Sequence, residues 1–261
     1  MLKEDSRILL VRTDKIGDVV LTTPAIAALR AKYPVAYLVA LTSPLAYDIL
    51  AHNPHLNKVM KLDGDRYGGL MGFFHLVADL RTQKFVSAVM FQTNFRVAFA
   101  VWLAHIRFRV GPLSKWWSWI FFNLGKRQNR SAVEMHEADY NIQLLSYFNI
   151  FVSETREKTY LAVEGKARQE AEEFFREKGI LKKFKTVAIH PGMGGSALNW
   201  PEHHYMALGK KLLRKYNVII TGGPGEESIV ERVLDGISQE QSFLVERPVL
   251  TKYIGSTTLQ A

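Results

Sequence analysis

Three short segments carry the residue types from which a reaction can be built. The first is Arg12-Thr13-Asp14-Lys15-Ile16-Gly17-Asp18, which follows the apolar run Ile8 to Val11 and precedes a helical pattern. Gly17 permits a tight turn, and Asp18 falls where the helix begins. A carboxylate there can cap backbone N–H groups at the positive end of the helix dipole. It can equally take a proton from a substrate hydroxyl in an adjoining crevice. Both readings of Asp18 are open on the sequence. The second segment, His190 to Ala197, reads HPGMGGSA and again lies between a strand pattern and a helix pattern. Its glycines and Ser196 can present backbone N–H groups to a phosphate. Neither the Gly-Lys-Ser/Thr of a Walker loop nor the Gly-x-Gly-x-x-Gly dinucleotide fingerprint is present. The third segment, Gly222 to Glu227, reads GGPGEE. Glu226 can there hydrogen-bond a ribose or the edge of a base, or simply favour a helix start. Two glycine-rich loops of this kind in one half of the chain favour nucleotide binding.

Elements that would position these segments are legible as alternating apolar runs and amphipathic stretches, the rhythm of repeated βα units. Ile8 to Val11 predicts a buried strand, and Asp18 to Tyr33 one helix closed by Pro34. Further strands are expected at 37–41, 59–62, 85–91 and 106–110, with helices at 45–51, 69–81, 95–104 and 136–148. After a polar break at Ser153 to Lys158, a helix is expected at 166–178, ending at Gly179. A strand at 186–189, a helix at 201–216, a strand at 218–221 and a helix at 226–236 follow. The expectation is an α/β chain of two doubly wound lobes, residues 1–155 and 156–261. Ligands of open parallel sheets sit outside the carboxyl ends of the strands, where all three segments fall.

Composition narrows the classes. The 261 residues are 48 % hydrophobic, which is ample for a core, and they contain no cysteine. Disulfides and thiolate metal sites are therefore excluded. The N-terminus is too acidic, and its apolar run too short, for a secretory signal. No stretch has the ~18 apolar residues of a membrane span, and a cytoplasmic protein is expected. The net charge of +9 is unevenly placed: between Asp79 and Glu134 there is no carboxylate, while nine Lys or Arg and four of the five tryptophans lie there. Cations among indoles suit phosphates and a membrane interface. They equally describe a core helix with solvated basic ends, and nucleic acid is a third reading without a supporting motif.

The three segments together resemble one family. ILLVRTDKIGDVVLTTPAIAALR, Ile8 to Arg30, is similar to the opening of glycosyltransferase family 9, the lipopolysaccharide heptosyltransferases. HPGMGGSALNWP, His190 to Pro201, resembles that family's donor-phosphate loop, and TGGPGE, Thr221 to Glu226, its nucleoside loop. FQTNFRVAFAVWLAHIRFRVG and His136 with the helix after it follow the family in order and spacing. The resemblance implies a GT-B-like fold of two Rossmann-like lobes, the first binding acceptor and the second nucleotide-sugar. It implies inverting transfer of a heptose from an ADP-sugar to an inner-core hydroxyl of lipid A-linked lipopolysaccharide, without a metal or other cofactor. Asp18 then stands at the catalytic base. Met193, Gly194, Gly195 and Ser196 would hold the diphosphate, and Gly223 and Glu226 the nucleoside. Lys15, Arg96, Arg107 and Arg109 are the cations expected at the acceptor. A protein working on such an acceptor is expected at the cytoplasmic face of the inner membrane, in peripheral contact with it and not with nucleic acid.

Two departures stand out. The family carries Lys or Arg two residues before its Trp-Pro, where this chain has Leu198. A missing preorganised cation removes on the order of 3 kcal/mol of transition-state stabilisation if nothing replaces it. In the family an Asp-Ser-Gly-x-x-His segment follows the helix that Ile254 to Gln260 resembles, and it is not among these residues, so the second lobe is expected to be incomplete. Both departures keep a second reading open, a non-catalytic nucleotide-sugar or lipid-A-binding protein on the same fold.

Overall fold

The computed structural model describes residues 2–154, 158–163, 165–180, 182–193, 198–238 and 250–254. The chain forms two compact units, Met1–Val163 and Glu164–Ala261. The first unit continues beyond the expected division at residue 155. The reason is local: the Tyr160 backbone N–H donates to Thr23 Oγ1 at 2.9 Å, and the Tyr160 ring stands edge-on to His55.

In the first unit six parallel strands run in the order β3-β2-β1-β4-β5-β6. They are β1 (Arg7–Val11), β2 (Tyr37–Thr42), β3 (Lys58–Lys61), β4 (Ser87–Met90), β5 (Phe108–Pro112) and β6 (Leu124–Lys126). β1 is apolar at every position from Ile8 to Val11, because helices cover both sheet faces. Ile8 and Leu10 enter one core, against Ile26, Leu29 and Leu144. Leu9 and Val11 enter the other, against Leu76, Leu80 and Val101. Strand order reverses between β1 and β4, so the crevice at their carboxyl ends is the switch point where such sheets place ligands.

The helices of this unit are α1 (Ile16–Val20), α2 (Thr23–Lys32), α3 (Tyr47–Ala51), α4 (Gly64–Tyr67), α5 (Gly69–Thr82), α6 (Phe95–Leu103), α7 (Ser118–Phe121) and α8 (Glu137–Leu144). The single helix expected over 18–33 is two. Pro24 has no N–H to return to the Val20 carbonyl and its ring crowds that oxygen. The Thr23 hydroxyl donates to Val20 O instead, at 2.7 Å, and Thr22 does the same to Val19 O. β5 begins two residues later than expected, and the four-residue helices and β6 are additional elements.

The second unit holds a parallel sheet of β7 (Thr186–Ile189), β8 (Asn217–Gly222) and β9 (Leu250–Ile254), in that order. Its helices are α9 (Gly165–Glu177), α10 (Glu202–Leu212) and α11 (Glu227–Ser238). The core is small and is built on Ile189, Val218, Ile220, Val230, Val233 and Ile237. Ile254, expected to open a helix, closes strand β9, where its backbone pairs with Gly222 of β8. The rest of that expected helix, 255–260, lies outside the described residues.

Candidate functional site

The first unit's site is organised by Arg12, for which no role of its own was expected. Arg12 immediately follows β1 and is only 6 % exposed. A guanidinium this deep needs its donors satisfied. Its Nε donates to Asp14 Oδ1 at 2.7 Å, and its Nη2 lies 3.0 Å from Asp18 Oδ1. Its Nη1 reaches Phe91 O at 3.0 Å and Glu137 Oε1 at 3.2 Å. Asn141 stands one turn after Glu137 on α8 and ties that helix to the α1–α2 corner, its Nδ2 donating to Leu21 O at 2.9 Å. Arg130 closes the cluster, pairing with Glu137 and donating to Gln128 Oε1 at 2.8 Å.

Asp18 is in the first turn of α1, but it does not cap that helix. The N-cap is Lys15, whose side chain makes no capping hydrogen bond, and the Asp18 carboxylate turns to Arg12 instead. The simple capping reading is therefore set aside. Burial pushes the Asp14 carboxyl above its ordinary value, with Arg12 pulling the other way. Burial lowers the pKa of Arg130, against the pull of Glu137. A cavity of about 460 Å³ opens over this cluster. Asp18, Arg12, Lys115, Arg130, Gln92 and Glu137 are among its walls. It lies at the carboxyl ends of β1, β4 and β5, the switch point of the sheet.

Of the cations expected at the acceptor, only Lys15 shares the loop of Asp18, and it is exposed there. Arg96 turns away from the cavity: it donates to the carbonyls of Tyr67 (2.6 Å) and Gly69 and lies over the Phe73 ring. Arg107 and Arg109 flank the first residue of β5, Phe108, at the opposite end of the strands from Arg12. Arg109 donates to Phe121 O and Ile106 O, each at 2.7 Å, and burial lowers its pKa. Arg107 lies over the Phe108 ring. Arg96 and Arg109 brace backbone, and Arg107 rests on a ring at the surface. Lys115 and Arg130 take their place at the cavity, and the sequence showed them only as members of the basic segment. A better signal was available for Arg12: a charged residue directly after four buried apolar ones must find partners.

In the second unit Glu226 joins the two glycine-rich loops. The Gly223 N–H donates to Glu226 Oε2 at 2.7 Å, and His190 Nε2 lies 3.4 Å from the same oxygen. His190 Nδ1 is 3.0 Å from Thr221 Oγ1. Gly192 leaves room for this carboxylate: a Cβ there would stand 2.1 Å from the Glu226 carboxyl carbon, and the Glu226 side chain would have to turn aside. Met193 is half-buried beside it. Gly194, Gly195 and Ser196 lie outside the described residues. Leu198 is fully exposed.

A family model described as glycosyltransferase family 9 (heptosyltransferase) matches residues 73–254. A putative glycosyltransferase of Haemophilus influenzae is 33 % identical over 227 residues, covering 84 % of this chain and 64 % of that protein. Lipopolysaccharide heptosyltransferase 3 of Escherichia coli is 25 % identical over 224 residues, covering 82 % and 63 %. The chain thus spans less than two thirds of the length of either relative. The crystal structure of a family 9 glycosyl transferase from Veillonella parvula superposes with a TM-score of 0.80 at 19 % identity, covering 97 % of this chain and 71 % of that one. The fold is accordingly α/β and GT-B-like, with parallel central sheets.

Proposed function

This chain belongs to glycosyltransferase family 9 (heptosyltransferase), and on that premise we propose that it is an inverting glycosyltransferase moving a heptose from an ADP-sugar to an inner-core hydroxyl of lipopolysaccharide. The observation that carries the reading is the Asp18 carboxylate, held by buried Arg12 at the wall of the switch-point cavity. In the proposed step the acceptor hydroxyl gives its proton to Asp18. Its oxygen bonds to the anomeric carbon, the bond from that carbon to the diphosphate breaks with its electron pair leaving on oxygen, and the carbon inverts. Arg12 engages Oδ1, which leaves Oδ2 to take the proton. Lys115 and Arg130 suit an anionic acceptor in the same cavity, with Lys15 exposed on the loop that carries Asp18. No metal or further cofactor enters this reading, and it carries a cytoplasmic location with it.

On the donor side, Met193, Gly194, Gly195 and Ser196 would meet the diphosphate, and Gly223 and Glu226 the nucleoside. Glu226 would exchange the Gly223 N–H and His190 for ribose hydroxyls. ADP is expected to release heat on titration into a form spanning the relatives' full length. Glu226→Ala is expected to weaken binding about tenfold, the loss of one charged hydrogen bond of about 1.5 kcal/mol. The absence of any ADP heat would remove the donor assignment. The reaction itself is tested with ADP-heptose and heptose-deficient lipopolysaccharide. ADP should appear in step with one heptose added to the acceptor by mass spectrometry. Leu198, exposed where the family has a cation, supports a second reading, a non-catalytic binder of nucleotide-sugar or lipid A. ADP binding without any sugar transfer would select it.

A further inference from the structure

Beyond the cavity that holds Asp18 lies a second, of about 420 Å³, and Gln128 lines both. It opens on the same side of the sheet, at the carboxyl ends of the strands, where such folds bind ligands. Leu113, one of its walls, directly follows β5, and Arg127, another, directly follows β6. The Leu113 N–H donates to Lys126 O at 2.9 Å and holds those two strand ends together. Gln128 is a fixed partition between the cavities. Its Nε2 donates to Tyr140 O at 2.7 Å and to Gln143 Oε1 at 2.9 Å, and its Oε1 accepts from Arg130 Nη2 at 2.8 Å. Arg130 faces the first cavity and Gln143 the second, so one amide side chain ties the two together.

The walls of the second cavity offer hydrogen bonds of both kinds. Gln143 gives its side-chain oxygen to Gln128, and its Nε2 meets no acceptor among the described residues. Glu134 takes a 3.5 Å contact from Asn129 Nδ2 and forms no ion pair among the described residues. Arg127 lies over the Trp119 ring, 5.0 Å from its centroid. Leu113 and Met135, each half-buried, supply an apolar floor. The loop that carries Asn129 and Glu134 is turned by Val133 at φ 51°, a left-handed conformation uncommon in a β-branched residue. Val133 is 79 % exposed, so its own packing does not hold it there. Strain of this kind concentrates at ligand sites. A hydroxyl both donates and accepts. An amide, a carboxylate and a guanidinium around an apolar floor therefore match the neighbouring hydroxyls and the C–H face of a sugar ring. The Glu134 carboxylate disfavours a phosphate in the same place.

We propose that this cavity is a second acceptor subsite, holding an uncharged sugar residue next to the one whose hydroxyl reaches Asp18. The proposal rests on the transferase reading for the acceptor being a chain of sugars, and its test reads binding and not turnover. Inner-core oligosaccharide freed of acyl chains is prepared in two lengths. One ends at the acceptor sugar, and the other carries a further uncharged sugar on it. Each is titrated into the full chain by calorimetry, and the longer is expected to bind about tenfold tighter. Gln143→Glu keeps the oxygen that accepts from Gln128 and removes the free NH₂ group. Glu134→Gln keeps the shape of the side chain and removes its charge. Each variant should weaken binding of the longer oligosaccharide about five- to tenfold and leave the shorter unchanged. Both should melt within a few degrees of the parent, because Glu134 is exposed and Gln143→Glu preserves the bond to Gln128. Equal binding of the two lengths, no binding of either at millimolar concentration, or equal losses for both lengths in the variants overturns the subsite. Length-dependent binding without sugar transfer would reject the transferase reading and leave the subsite standing.

Discussion

Asp18→Asn is expected to lower the rate of sugar transfer by about 10²- to 10⁴-fold while leaving the first unit folded. The asparagine keeps the shape of the side chain and an oxygen to accept from Arg12, at the 3.0 Å contact now made by Asp18 Oδ1. It loses the negative charge and with it the capacity to take a proton. Arg12 retains Asp14 and Glu137 as anionic partners, and the Asp18 side chain is 32 % exposed. The loss of stability should therefore stay within about 1 kcal/mol, or 2–4 °C in melting temperature for a unit of this size. Rate measured at saturating ADP-heptose, alongside a thermal melt, separates the possibilities. A variant that melts many degrees lower yet turns over normally once folded would make Asp18 a structural partner of Arg12 and nothing more.

Arg12→Met should produce the opposite profile, a large loss of stability. Methionine fills much of the volume but answers none of the three carboxylates converging there, nor the Phe91 carbonyl. Removing one member of a buried ionic cluster typically costs 3–5 kcal/mol. Because Asp14, Asp18 and Glu137 each remain partly exposed, about 3 kcal/mol is expected, or roughly 6–12 °C. The pH dependence has a definite sign. Burial raises the Asp14 pKa above 3.8, opposed by Arg12. A raised folded-state value gives stability that is present below the unfolded pKa and is lost as pH rises through the folded one. Without Arg12 the folded value should climb further. The gap in melting temperature between parent and variant should thus be wide at neutral pH and narrow as acid protonates Asp14. Equal melting temperatures at neutral pH would show that the cluster contributes no net stability.

Much of this was legible in the residues alone. Thr186 to Ile189 is a strand with the bounds its apolar run suggested. The βα rhythm announced parallel sheets, since a strand covered on both faces must be apolar at consecutive positions. The Gly17-Asp18 turn and the glycine loops at 190–197 and 222–227 were visible because such chemistry is local: a glycine or a helix-start carboxylate needs only its neighbours to be recognised. The family resemblance, carried by the same stretches, agrees with the family match over residues 73–254. β6 escaped notice because three residues, Leu124 to Lys126, carry no alternation.

The tertiary structure decided which charges work together. Arg12 and Glu137 are 125 positions apart, and no spacing rule joins them; the parallel β1–β4 pairing and the packing of α8 against α2 and β5 do. The same holds for the basic segment. Its composition counted nine cations as equals, but their directions were fixed by where β5 starts and by which carbonyls lacked a donor. Arg96 and Arg109 went to backbone oxygens, Lys126 to Ser146, and Lys115 and Arg130 to the cavity. Sequence determines which residues must be buried and which turns they can form, because those preferences act over a few neighbours. Which distant polar groups share a site is decided only when the chain closes, because a buried charge is held by partners in space and not by partners in order.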